Sequence, residues 1–199
     1  MLAMRASRIP EPLELVVRPG AVMRRVLAGE AGWTAVLAAF AAPLAAVAAF
    51  FAYSYVGTVT AGHFLASFVA YALVFFGQTA IFAAVARVAT RRPLRACAHT
   101  FALTYLPVEL FFLFLFTVFL LASAPYQSIF TLLRSYVLPS VFAGMLAWNA
   151  LLVYVALREL GGGRRLRALA AMVVHYAVFG GLIVAYCYGM DLLPFREGA

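Results

Sequence analysis

Lysine is absent from this 199-residue chain and acidic residues number only seven, so charge is both scarce and one-sided. Charged residues make up 11% of the chain against 66% hydrophobic, and mean hydropathy is +1.00. Polar surface that sparse does not cover a water-soluble domain of this length, whereas a lipid surrounding requires no such cover. Metal-ligating residues are equally thin: two cysteines and three histidines, with no CxxC and no Cys/His cluster at zinc spacing. No serine stands in a GxSxG elbow, and neither an HExxH pair nor a glycine-rich phosphate loop is present. The expectation is a membrane protein without enzymatic activity, metal or cofactor.

What the chain does contain is a series of apolar runs of about 20 residues, the length that crosses a ~30 Å hydrocarbon core as helix. The runs are continuous rather than alternating, which favours helices over a β-barrel. The expected fold is an all-α integral membrane bundle of five transmembrane helices, at residues 33–55, 64–86, 100–124, 137–157 and 169–190. A cytoplasmic N-terminal segment (1–32) precedes this domain (33–190), and a short external tail (191–199) follows it. The first run begins too far into the chain for a secretory signal, so it reads as an uncleaved span.

Arginine placement gives the orientation. Five arginines precede the first span (Arg5, Arg8, Arg18, Arg24, Arg25). Arg87, Arg91, Arg92 and Arg95 follow the second span, and Arg158, Arg164, Arg165 and Arg167 follow the fourth. With five spans, thirteen of the fifteen basic residues share one side, leaving Arg134 and Arg196 on the other. Short basic loops stay cytoplasmic, which places the N-terminus inside and the C-terminus outside. A net charge of +8 is therefore read as topology and contact with anionic lipid head groups, not as a nucleic-acid interface. Arginine without lysine, beside abundant alanine, is the composition of a GC-rich bacterial genome, and the bacterial inner (cytoplasmic) membrane is the expected location.

Two surface-lying segments are expected. After Pro19, the residues Val22, Met23, Val26 and Leu27 share a side, as in a short interfacial helix with its apolar face in the acyl boundary. Between Pro125 and Pro139, the residues Tyr126, Ile129, Phe130, Leu133 and Tyr136 suit an outer interface. Cys97 and Cys187 fall near opposite sides of the bilayer, too far apart for the ~7 Å Cα separation a disulfide allows. Gly161–Gly162–Gly163 reads as a turn. Arg92-Pro93-Leu94-Arg95-Ala96 and Arg164-Arg165-Leu166-Arg167-Ala168 form a weak repeat at the two inner loops.

Polar residues inside the spans are the sharper clue. Gln78, Glu109, Asn149 and His175 each lie about 12–13 Å from an inner helix end at ~1.5 Å per residue. Pro43 and Pro107 reach similar depth, and each frees a backbone carbonyl, Ala39 and Leu103 respectively. Ionisable groups at such depth normally face the bundle interior. A structural reading makes these groups interhelical hydrogen bonds, each worth about 1 kcal/mol. A functional reading pairs Glu109 with His175, supported by Gln78 and Asn149, around a proton, ion or head group.

The chain also resembles the Yip family of membrane proteins, named for interaction with Ypt/Rab-type GTPases. The likeness lies in Val16-Val17-Arg18-Pro19-Gly20, in Thr104-Tyr105-Leu106-Pro107 after a basic loop, and in Ala147-Trp148-Asn149 on the fourth span. The resemblance implies five transmembrane helices with a cytoplasmic N-terminus, and a role in membrane trafficking or organelle shape. The long polar N-terminal region of many eukaryotic members is missing here. Three functions therefore stand side by side: a scaffold that organises membrane or partner proteins, a small transporter using the polar layer, and an accessory subunit of a larger complex. Lipid and a membrane-protein partner or second copy are the partners expected.

Overall fold

The computed structural model describes residues 11–30, 44–50, 53, 60–120 and 127–189. Most of the first expected span, Pro43 in it, the residues before Glu11 and the tail after Gly189 lie outside the described residues. Two short helices open the described chain, α1 (Glu11–Val17) and α2 (Pro19–Leu27), and residues 44–50 are helical. The long elements follow as α3 (Ala61–Thr90), α4 (Leu94–Ala102), a 3-10 turn (Leu103–Tyr105) and α5 (Leu106–Leu120). After them come α6 (Gln127–Leu132), a π turn (Leu133–Val137), α7 (Leu138–Leu160) and α8 (Arg165–Gly189). The described residues contain no strand.

Four stretches are long and apolar enough to cross a membrane: Ala61–Thr90, Leu94–Val118, Ser128–Leu160 and Arg165–Ala185. Their outer walls leave Leu65, Leu73, Phe76, Leu151, Val173 and Val184 exposed. A water-soluble protein would hide such contiguous apolar surface, and hydrocarbon is the medium that accepts it. The chain is an integral membrane protein by this measure.

Two expected boundaries are wrong, for local reasons. Helix does not wait until Thr100: Pro93 caps α4 in an extended conformation, and the helix starts at Leu94. The connection after α3 therefore shrinks to Arg91, Arg92 and Pro93, and Cys97, expected in a loop, is a buried free thiol on a helix. Arg91 adopts φ 61 and returns its N–H to the Arg87 carbonyl at 2.8 Å, which closes the helix end. The segment expected along the outer interface is likewise not separate from the span that follows it. From Gln127 it is helical and runs through the π turn into α7. Pro139 brings no N–H and its ring displaces the Ser135 carbonyl, so the turn widens and the Leu138 N–H reaches back to Leu133 instead.

The core sits at the arginine-rich end. Met23, Phe82, Phe101, Leu152, Leu157 and Leu160 meet there, with α2 packed against α4 and α7. Met23 is 0% exposed, and Val22 and Val26 are buried with it. The apolar face of α2 thus rests on protein, not in the acyl boundary as its amphipathic pattern led one to expect. Amphipathicity states that one face avoids water; it does not say what covers that face. Ionic clamps complete the docking. Glu159 takes Arg24 at 3.1 Å and Arg158 at 2.7 Å, while Glu14 accepts both terminal nitrogens of Arg25 at 2.9 and 2.6 Å. The hydrogen bonds from Arg25 hold the Glu14 carboxyl below the usual carboxylate range. Gly20 permits this approach, since a Cβ there would stand 3.1 Å from Glu159 Oε1.

Candidate functional site

Two regions carry polar chemistry: a buried layer between the long helices and a cleft at the arginine-rich end. The buried layer begins with the turn that Pro107 imposes. Lacking an N–H, Pro107 interrupts the helical ladder, and the backbone tightens into the 3-10 turn Leu103–Tyr105. The carbonyl that takes an outside donor is Thr104, one residue beyond the expected Leu103. Asn149 Nδ2 of α7 donates to it at 2.7 Å, and Asn149 Oδ1 accepts the Tyr176 hydroxyl of α8 at 2.9 Å. Three elements are joined through one amide side chain. Thr104, Asn149 and Tyr176 each lie about 15–17 Å from the end of their own helix at ~1.5 Å per residue, so the depths match.

Glu109 belongs to a different level. With α4 starting at Leu94, Glu109 lies about 22 Å along its helical stretch, deeper than a start at Thr100 would place it. It is 1% exposed, and its partner is Tyr71 of α3, whose hydroxyl donates to Oε1 at 3.2 Å. No hydrogen bond or ion pair joins Glu109 to His175. His175 instead stands edge-on to Phe82, Phe101 and Tyr176, with ring centroids 5.1 to 5.5 Å away. Glu109 Oε2, His175 Nδ1 and the Tyr105 hydroxyl have no partner among the described residues. Gln78 is half-buried and bonds to none of Glu109, Asn149 and His175. The four residues expected to form one layer are thus divided: Asn149 in a satisfied network, Glu109 with Tyr71, His175 among aromatic rings, and Gln78 apart.

Tyr71 and Tyr176 escaped the sequence reading, and Thr104 entered it only as part of a motif. Thr104 left a trace, three residues before a proline that frees carbonyls. The tyrosines left none, because a tyrosine in an apolar span reads equally as packing surface.

At the other region the α3–α4 and α7–α8 connections come side by side. Arg91 and Arg92 from the first, Arg164 from the second and Arg167 from the first turn of α8 line a cleft of about 750 Å³ with Val88, Thr90, Leu160, Gly161 and Gly162. The two arginine-rich loops therefore occupy one end of the bundle. The three glycines make the tight second connection, Gly162 at φ 65 and Gly163 at φ 86, a region that costs glycine nothing. Each half of the weak sequence repeat opens a helix there, α4 and α8. Arg92 Nε donates to the Leu160 carbonyl at 3.4 Å and ties one connection to the other. Arg158, grouped with these by sequence, is drawn away to Glu159. Among the described residues, no ion pair reaches Arg87, Arg91, Arg92, Arg95, Arg164, Arg165 or Arg167. Nor do any three His, Cys, Asp or Glu side chains among them group as a metal site.

No family model matches this chain, and no curated protein or solved structure matches it either.

Proposed function

We propose that this is a non-enzymatic polytopic membrane protein with five membrane-crossing helices, organising membrane or partner proteins through its outer walls and its basic end. Support for the fifth crossing comes from connectivity. The α2 helix docks at the arginine-rich end beside Glu159, whereas Thr60 caps the far end of a 30-residue helix whose other end, Thr90, is at that same basic end. The chain between Glu30 and Thr60 has to join the two ends. The arginine bias would make the basic end cytoplasmic, with the N-terminus inside and the C-terminus outside. Membership of the Yip-type group, and location in a bacterial inner membrane, rest on the motifs and composition given above.

The observation that carries the scaffold reading is the state of the polar layer. Glu109 is 1% exposed and Asn149 has both ends of its amide engaged by protein. An amide engaged at both ends in this way fixes helix packing. Gly180 and Gly181 have nothing within 4 Å of where a Cβ would stand, which leaves that stretch of α8 open to lipid, a partner chain or a second copy. A transporter is the second reading. It is favoured by the unpartnered Glu109 Oε2 and His175 Nδ1, because an incompletely satisfied buried carboxyl is a natural site for a proton.

Proton flux in reconstituted vesicles tests the choice. The scaffold reading expects the wild-type rate to equal that of protein-free vesicles. A protein-dependent flux that disappears in Glu109→Gln would refute it and establish the transporter.

A further inference from the structure

The buried network and the ionic clamps leave four guanidinium groups around one cleft unexplained. Arg91, Arg92 and Arg164 from two connections and Arg167 from the first turn of α8 converge there, and among the described residues no acidic one lines the cleft with them. One function for such arginines is to cap helix ends. Both α3 and α7 end at the cleft, at Thr90 and Leu160. Each C-terminus is equivalent to roughly half a negative charge. The N-termini of α4 and α8, which open at the same end, carry about half a positive charge each and cancel the two C-termini, so the surplus stays at about four. Arg92 does cap, through Nε to the Leu160 carbonyl, yet its two terminal nitrogens have no partner among the described residues. Capping accounts for one arginine and not for four.

Like charges held together call for a counter-charge, and the planar guanidinium fork matches the oxygens of a phosphate. A cleft of about 750 Å³ has the size of a small-molecule site and exceeds the needs of one phosphate group. The surroundings point to the source of that phosphate. Val88, which lines the cleft, and Leu166, between Arg165 and Arg167, are each 84% exposed. Acyl chains would cover these side chains, while a soluble phosphate would leave them bare.

We propose that this cleft binds the head group of an anionic phospholipid carrying at least two negative charges. The four guanidinium groups hold the phosphate oxygens, and the acyl chains pass over Val88 and Leu166. The inference rests on the assignment of the chain to the membrane with its basic end at the lipid surface, but not on the choice between scaffold and transporter.

The test uses the full chain in mild detergent, loaded with diphosphatidylglycerol, and native mass spectrometry to follow how much lipid survives washing. Retention over phosphatidylcholine is expected. The R164A/R167A double variant should retain the lipid about thirtyfold more weakly, which corresponds to ~2 kcal/mol for two charges. R95A/R165A removes as many charges from the same end but outside the cleft, and should stay within about threefold of wild type. Equal losses in the two double variants would make retention a matter of diffuse charge and overturn the site. R164K/R167K preserves charge and serves if the alanine variant does not fold. Weaker retention is expected from loss of the fork, and undiminished retention overturns the proposed contacts. Inorganic pyrophosphate supplies the soluble arm. It should fail to compete at equal concentration, and full displacement would reassign the cleft to a soluble phosphate and overturn the lipid. Vesicle flux that refuted the scaffold would leave each of these outcomes readable.

Discussion

Asn149 offers the most direct perturbation, because one side chain joins three helical elements. Replacing it with leucine removes the 2.7 Å bond to the Thr104 carbonyl and the 2.9 Å bond from the Tyr176 hydroxyl. Interhelical hydrogen bonds inside bilayers average about 0.6 kcal/mol and reach ~1.7. Two of them give an expected loss of about 1–3 kcal/mol, and Tyr176→Phe, which removes one, should cost about 0.6–1.7 kcal/mol. The double variant should cost less than the sum of the two single ones, because the bond between the partners is lost only once. The coupling should therefore be about 0.6–1.7 kcal/mol. Reversible unfolding in mixed micelles with increasing dodecyl sulfate, followed by the fluorescence of the neighbouring Trp148, measures all four corners of the cycle. A coupling inside the ~0.3 kcal/mol scatter of independent sites would show that the amide does not hold α7 to α8.

Three further predictions concern the docked N-terminal helices. Met23→Ala should destabilise the docking of α2 by about 2–5 kcal/mol, as for a fully buried side chain, and speed proteolysis near Gly29; a near-neutral result would put that face back in lipid. Gly20→Leu should force the Arg24–Glu159–Arg158 cluster apart at a cost of about 1–3 kcal/mol, seen as faster amide exchange across α2, whereas unchanged exchange would refute the close approach. The Glu14 carboxyl titrates below its ordinary value of 4.5, so its pairing with Arg25 is complete above that pH and lost as pH falls below it. Labels on α1 and α2 should separate on acidification in wild type, while Glu14→Gln should show the wider separation at every pH.

Much of the architecture is legible because hydropathy and arginine placement act over whole segments. Four crossing stretches fall where apolar runs predict them, and the two basic loops that the arginine count groups together do share an end. Boundaries are harder. A helix begins where a cap permits, and Pro93 supplied an N-terminus six residues before the apolar run becomes unbroken. Pro139, taken to close the interfacial segment, is absorbed by a π turn. Side-chain partners are harder still. Glu109 and His175 match in depth only if the third span starts at Thr100; with the helix starting at Leu94, Glu109 lies about 22 Å along Leu94–Val118 and His175 about 15 Å along Arg165–Ala185. Asn149 meets Thr104 and Tyr176, not the layer partners expected for it, and the depths of these three agree.

The stretch Ser128–Leu160 counts 33 residues, about 50 Å of helix where ~30 Å of hydrocarbon has to be crossed. That excess of ~20 Å has to be met by tilting, by thickening of the surrounding lipid or by projection into water. The over-long rod carries its irregular turn near one end, with Tyr136 and Leu132 facing outward. Arg134 and Arg158 bound an uncharged run of about 35 Å within it, so most of the excess length lies beyond those charges.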